Sequence, residues 1–410
     1  MVQLVRVPPA LDKCFRPLKP RFHWDHYTYF RLLVLVMAVA WGRRHVANLY
    51  RYLEAQHHRT RFNNFFLVER WDPEAALRQP ADELLGALRP RQGDTIYLVL
   101  ADSKKAKRGK ALDAVAQRKD SLTDTYIRGH QYVCAILVYG DQVIPYGIRC
   151  YVKKTPCTPL GLPFRKTTEL AAQLIREFTP PAGVKVVVRC DPYDLCRSVV
   201  QACRDQHFHF ASTLKRNRNL CKQGWRLKAG RDGKNLFRRR RTQTFVLAKP
   251  HGQARSRYVD AGWLQVGTLG TLHVVFSRKG SAPTSVGLVT DAPTLSAPQL
   301  IQAYERRWSI EPWIKDLKQL LGLGHYQNRS YRAAVTHLPL VCVAYALLTH
   351  LRIERYGAQG QQTHHKAADL STAAAQDHLR GLIWDDLMVY LQEKNPDASL
   401  IADLQRLRVA

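Results

Sequence analysis

Three acidic residues sit where a sequence would place metal or phosphate chemistry. Asp102 follows the β-rich apolar run Thr95–Ala101, and Asp191 follows the apolar run Val184–Arg189 closely. A carboxylate at the carboxyl end of a strand in an open α/β sheet lies at the edge where ligands and metals gather. Taken alone, each aspartate is more often a turn residue or a helix N-cap. The third acid shifts that balance. On a helix advancing about 100° per residue, Tyr304, Arg307, Glu311 and Lys318 fall within about 60° of one another. An i,i+4 ion pair accounts for Arg307 and Glu311, but not for the phenol or the second cation. One acid beside two cations suits a divalent metal next to a phosphate. The carboxylate holds the metal, and the cations grip phosphate oxygens, arginine through paired bonds. Pro312 disfavours helical geometry at the residue before it, so a helix is expected to begin or kink near Glu311.

The elements that must position these residues are legible as apolar patterns. Residues 23–90 read as helical, with short helices over 74–88 broken at Pro80. The run Thr95–Ala101 is a strand ending at Asp102, and Gln131–Tyr139 and Gln142–Val152 are paired strands around a tight Gly140-Asp141 turn. A helix over Thr167–Phe178, a buried strand over Val184–Arg189, a helix from Tyr193 to Gln206 and a strand at Phe208–Leu214 follow. Composition then shifts. Residues 215–241 hold twelve basic residues and one acid, Asp232, and β-like runs follow at Thr244–Lys249, Trp263–Thr268 and Leu272–Ser277. This reads as a β insertion with a basic edge. A strand at Ser285–Thr290 and a long helical region from near Ala297, resuming at Arg332–Arg352, complete the pattern. The expected division is a helical DNA-binding region at 1–90, a catalytic core at 91–214 and 285–352, a β-rich insertion at 215–284, and a helical region at 353–410.

Charge narrows the partner. Sixty-three Lys and Arg against 33 Asp and Glu give a net charge of +30, and such self-repulsion usually signals a polyanion. Nucleic acid is the first candidate and an anionic membrane surface the second. Lys104, Lys105, Lys107, Arg108 and Lys110 follow Asp102 directly and are candidates to track a DNA backbone, as is the run Arg238, Arg239, Arg240 and Arg241. A run of charge is otherwise a solvated face. Basic and aromatic residues also interleave between Trp41 and Phe66, which fits either a DNA-contacting helical region or an ordinary amphipathic bundle. Nine cysteines form no C-x-x-C pair, which argues against a zinc site and a disulfide framework and favours reduced thiols in a cytoplasm. No signal peptide is read at the start, and the apolar stretches 32–41 and 338–348 are too short to span a bilayer and read as buried helices.

These motifs together resemble the cut-and-paste DDE transposases of bacterial insertion sequences, in the branch with a Tyr-x2-Arg-x3-Glu-x6-Lys signature. Tyr304, Arg307, Glu311 and Lys318 match that spacing, LVLADSKKAKRGK at 98–110 resembles the first-aspartate motif, and RCDPYDLCRSVV at 189–200 resembles the second. The family commonly has Thr after the first Asp, where this chain has Ser103, and the second motif holds a rival carboxylate, Asp194. The resemblance implies an α/β, ribonuclease-H-like core interrupted by a β insertion. It implies catalytic, metal-holding Asp102, Asp191 and Glu311 with two Mg²⁺ (or Mn²⁺) ions, and Tyr304, Arg307 and Lys318 on DNA phosphates. Its expected partners are double-stranded DNA, as transposon ends and target, and a second copy of the chain when DNA is bound. Relatives often pass through a DNA hairpin with a flipped base, for which Trp225, Trp263 and Trp308 are the candidate stacking residues. The expected location is cytoplasmic and nucleoid-associated. A repurposed DDE nuclease and a DNA-binding protein with a decayed catalytic fold are the alternatives.

Overall fold

A computed structural model describes residues 4–394, apart from 54–56, 69, 110, 120–123, 223, 250–251, 281, 283, 306–308 and 358–370. Helix α1, Trp24–Val39, is buried along almost its whole second half, from Leu33 to Val39. Helix α2, Pro73–Leu88, starts under Asp72, whose side chain accepts the Glu74 and Ala75 N–H groups. The expected break at Pro80 does not occur; the helix runs through it. A mid-helix proline forfeits one hydrogen bond. The buried stripe Ala76, Leu77, Ala81, Leu84, Leu85 and Leu88 outweighs that loss by packing the helix into the core.

The sheet begins with β1 (Thr95–Ala106), β2 (Ala116–Lys119), β3 (Tyr126–Tyr139) and β4 (Gln142–Tyr151). Gly140, at φ 57°, makes the tight turn between β3 and β4. Helix α3 (Thr167–Arg176), strand β5 (Lys185–Cys190), helix α4 (Arg197–Asp205) and strand β6 (His209–Thr213) follow. β3 pairs antiparallel with both β4 and β1, while β5 lies parallel between β1 and β6. The local order is therefore β4-β3-β1-β5-β6.

Next come β7 (Asn219–Lys222), β8 (Trp225–Lys228), helix α5 (Ala229–Arg239), β9 (Gln243–Lys249), β10 (Gly252–Val266), β11 (Thr271–Lys279) and β12 (Val286–Thr290). The segment read as a β insertion differs from expectation in two ways. It contains α5, whose inward positions Ala229, Gly233, Leu236 and Phe237 are hidden among arginines and lysines in the sequence. Its strands also join the same twelve-stranded sheet, because β12 pairs with β6 on one edge and with β11 on the other.

The expected long helical region is two helices, α6 (Ala297–Glu305) and α7 (Ile310–Gln319). Then come α8 (Tyr331–Tyr356) and α9 (Thr372–Lys394). α8 is apolar and long enough to cross a membrane, but 89% of its apolar window is buried in protein. It is a central core helix, longer than the apolar stretch 338–348 suggests. One face of the sheet, with Val99, Tyr132, Cys134 and Ile136, packs against α1, α7 and α8. The other, with Leu98, Leu100, Val133 and Ala135, packs against α3 and α4. The central strands are covered on both faces, as a mixed α/β sheet requires.

Candidate active site

β5 accompanies β1 only as far as the pair Val99↔Arg189, whereas β1 continues with β3 to Ala106↔Gly129. The parallel strands part at that point. Asp102 lies three residues beyond the last shared pair and Asp191 two beyond, so both aspartates stand at the mouth of the same crevice. The expectation that the strand stops at Asp102 is corrected: pairing with β3 carries it on, with Asp102 opposite Val133.

Asp102 is accessible to solvent yet crowded by neighbouring atoms. Its Oδ2 accepts a hydrogen bond of 2.6 Å from Gln131 Nε2. Gln131 is itself oriented, because its Oε1 accepts from Arg118 at 3.0 Å. Arg118 is buried and donates its other terminal nitrogen to Tyr151 O at 3.1 Å. Desolvation raises the Asp102 pKa above the usual carboxylate value; the Gln131 bond and Lys104 oppose that rise, and the Asp191 charge adds to it. Neither Gln131 nor Arg118 is signalled by local spacing. They reach the site through the registers Lys104↔Gln131 and Arg118↔Ile127.

Asp191 opens a turn. Its Oδ1 accepts from Tyr193 N at 3.3 Å, and its carbonyl accepts from Asp194 N at 2.9 Å and Leu195 N at 3.1 Å. This turn takes up the residues expected to start a helix at Tyr193, so α4 begins at Arg197. The rival Asp194 is buried at 6% exposure. Burial, followed by repulsion from Asp102 and Asp191, pushes its pKa up to about 7, with Lys215 opposing. Three carboxyl groups therefore share one electrostatic neighbourhood.

The third motif falls on α6 and α7, described on either side of residues 306–308. Tyr304 lies half-buried on α6, against the cluster around Leu288 and Leu300, while Glu311 and Lys318 lie on α7. Arg307 and Trp308 are outside the described residues. The turn that would join Tyr304 to Glu311 on one helical face runs through 306–308, outside the described residues. Pro312 lies in the first turn of α7, where proline is tolerated because its missing N–H has no intrahelical partner. α7 packs against β1. Burial raises the Cys134 thiol pKa, with Asp102 adding to the rise and Lys318 opposing it, so both charges act on the same buried thiol. Glu311 is exposed in the first turn of α7.

The acidic donors offer oxygen alone, which suits a hard divalent cation such as Mg²⁺ or Mn²⁺. Among the described residues, no three acidic, histidine or cysteine side chains are close enough to hold one ion.

The basic residues divide. Lys104 and Lys105 are half-buried, and Arg108 is exposed. Lys107 departs from the expectation of a backbone-tracking cation: it is buried, and its Nζ donates to Gly324 O at 2.7 Å and Tyr326 O at 2.9 Å. Burial brings its pKa down to about 7, with Lys105 adding to the effect. Lys110 is outside the described residues. Arg238 and Arg239 end α5, and they and the following Arg240 and Arg241 are exposed. Trp263 is 48% exposed and stacked on His273 at 5.6 Å between ring centroids. The side chain of Trp225, like Trp308, lies outside what the structure describes.

Residues 165–347 match the family model for the transposase DDE domain. The matched span contains Asp191, Asp194, Glu311 and Lys318 and begins after Asp102. This match supports a DDE transposase, an enzyme class that acts on DNA. No curated protein matches the sequence.

Proposed function

We propose that the protein is a DDE transposase that cuts and joins DNA at the terminal inverted repeats of a mobile element. The observation that carries this reading is the crevice where β1 and β5 part, with Asp102 and Asp191 at its mouth and the helix bearing Glu311 packed on β1. The order β4-β3-β1-β5-β6 supports a ribonuclease-H-like core. Asp102, Asp191 and Glu311 would hold two Mg²⁺ or Mn²⁺ ions. The chemistry such ions supply when bound is activation of the attacking water or 3′-hydroxyl and stabilisation of the leaving oxygen.

The chain's own residues position and neutralise. Gln131, held by Arg118, aims one Asp102 oxygen and leaves the other for a ligand. Tyr304, Arg307 and Lys318 grip phosphates beside the reacting one, with Lys104, Lys105, Arg108 and Arg238–Arg241 along the backbone. Two DNA ends must be paired, which calls for a dimer on DNA. A hairpin route with a base stacked on exposed Trp263 belongs to this reading.

The test is cleavage of DNA carrying the element's own ends, with Mg²⁺, by wild type and by Glu311→Gln. Substitutions beyond a metal's direct ligands typically cost 10–100-fold, so replacing a ligand is expected to cut the rate by at least about 100-fold while DNA binding persists. Equal cleavage by both proteins would remove Glu311 from the site. Binding by both with cleavage by neither would favour a DNA-binding relative that has lost its chemistry.

A further inference from the structure

A cavity of about 650 Å³ opens at the end of β1, where β1 and β3 outrun β5. Three distant segments wall it: Arg43 from the loop after α1, residues 105–109, 111 and 112 from the end of β1 onward, and residues 324–327 and 329 after α7. Arg43, Lys105, Arg108 and Arg329 line it, and among the described residues no aspartate or glutamate does. Side chains alternate across a strand, so Lys105 projects from the opposite pleat to Lys104. The cavity is therefore distinct from the carboxylate crevice, about 10 Å further along the same strand at about 3.3 Å per residue.

Its wall is rigid. Lys107 Nζ ties two carbonyls of the 324–329 loop and sits 3.3 Å above the Tyr326 ring. The Tyr326 hydroxyl donates to His130 Nδ1 at 2.5 Å and lies 3.3 Å from the Tyr132 hydroxyl. Because His130 Nε2 faces the Asp113 carbonyl at 2.8 Å, that nitrogen carries the proton and Nδ1 accepts. Gly324, at φ 75°, lets the loop approach: a Cβ there would come within 2.6 Å of Lys105 Cγ. On this wall the cations crowd one another. Burial and then Arg43 lower the Lys105 pKa, and burial followed by Lys105, Arg44, Arg43 and Lys107 pushes His325 down to about 4. A preformed cavity with converging positive charge and no lining carboxylate is built for an anion.

We propose that this cavity is a phosphate socket that holds the DNA backbone at a point separate from the phosphate being cut, gripped by Arg43, Lys105, Arg108 and Arg329. The inference rests on the DNA-cutting reading above; it gathers Lys105 and Arg108, set there along the backbone, into one cavity with Arg43 and Arg329. It also gives the N-terminal helical region, through Arg43, a direct hand on DNA bound to the sheet.

The experiment is fluorescence anisotropy of a labelled 30-base-pair duplex of arbitrary sequence, titrated at several KCl concentrations without divalent cations. Wild type is compared with Arg43→Gln/Arg329→Gln, with Arg43→Lys/Arg329→Lys, and with a control of equal charge change at the far end of the sheet, Arg91→Gln/Lys185→Gln. Removing one cation from a phosphate lowers the slope of log affinity against log salt by about 0.9. Arg43 and Arg329 share one phosphate in the socket, so the glutamine pair is expected to lower the slope by about 0.9. The lysine pair should restore the slope, and the control should keep the wild-type value. A wild-type slope in the glutamine pair, or an equal fall in the control, overturns the socket. A glutamine-like slope in the lysine pair overturns a charge-based grip. Failure of wild type to bind the duplex would instead overturn the DNA-cutting reading itself.

Discussion

Gln131 orients because its two ends have different partners. Arg118 takes the amide oxygen, which leaves the amide nitrogen to donate to Asp102. Replacing it with leucine keeps the bulk and removes the donor. In Gln131→Leu, cleavage of the element's ends is expected to fall about 10–100-fold with the melting temperature little changed, as for other groups that aim a metal-binding carboxylate. The check is cleavage rate measured beside Asp102→Asn as a floor. A wild-type rate in Gln131→Leu with an inactive Asp102→Asn would remove Gln131 from the mechanism while leaving Asp102 in it. At this scale the sequence is partly readable. Asp102 and Asp191 announce themselves because apolar strand residues precede them, a pattern local to the chain. Gln131 and Arg118 do not, because cross-strand register is set by pairing between segments far apart, and no spacing encodes it.

The overshoot of β1 and β3 beyond β5 matters as an element, since it lifts Asp102 out of the covered sheet and carries Lys105 to the cavity. That ribbon depends on close approach at its far end. A Cβ at Gly129 would come within 2.1 Å of the Lys105 carbonyl oxygen, a backbone atom that cannot swing away. Gly129→Ala is expected to destabilise by about 1–3 kcal/mol, the usual scale of overpacking. Thermal unfolding checks this, and an unchanged midpoint would mean the ribbon yields freely. Apolar patterning reveals six of the twelve described strands within two residues. It misses β2, β7 and β8, and it gives neither the length of β10 nor that of the ribbon. Its last residues, Lys104 to Ala106, are polar or small and look like loop. Helix α5 is hidden by its own charge: Arg and Lys dominate its composition, although Ala229, Gly233, Leu236 and Phe237 keep helical spacing.

On the scale of the whole molecule, buried histidines set the acid limit. Burial is the leading cause that lowers His130 and His325 to about 4 and His337 to about 3. Unfolded, each would take a proton near pH 6.5. Below that pH the unfolded chain binds protons that the native protein refuses, so stability present above about pH 6.5 is lost as pH falls toward 4. The melting temperature is expected to drop steadily across this interval. His337→Gln, which removes one titrating ring from beneath the 322–327 loop, should make the drop shallower. Parallel curves for the two proteins would show that His337 is not among the groups responsible.

The twelve-stranded sheet also decides what can be cut from this chain. β12 is paired on both sides, by β6 of the core and by β11 of the inserted segment. Excising residues 215–283 would therefore strip one flank from Val286–Thr290, four of whose five residues are buried. A bare, apolar flank of that kind is a template for another chain. The inserted segment is thus no detachable module: it serves as the core's own protection against self-association, whatever else it contacts.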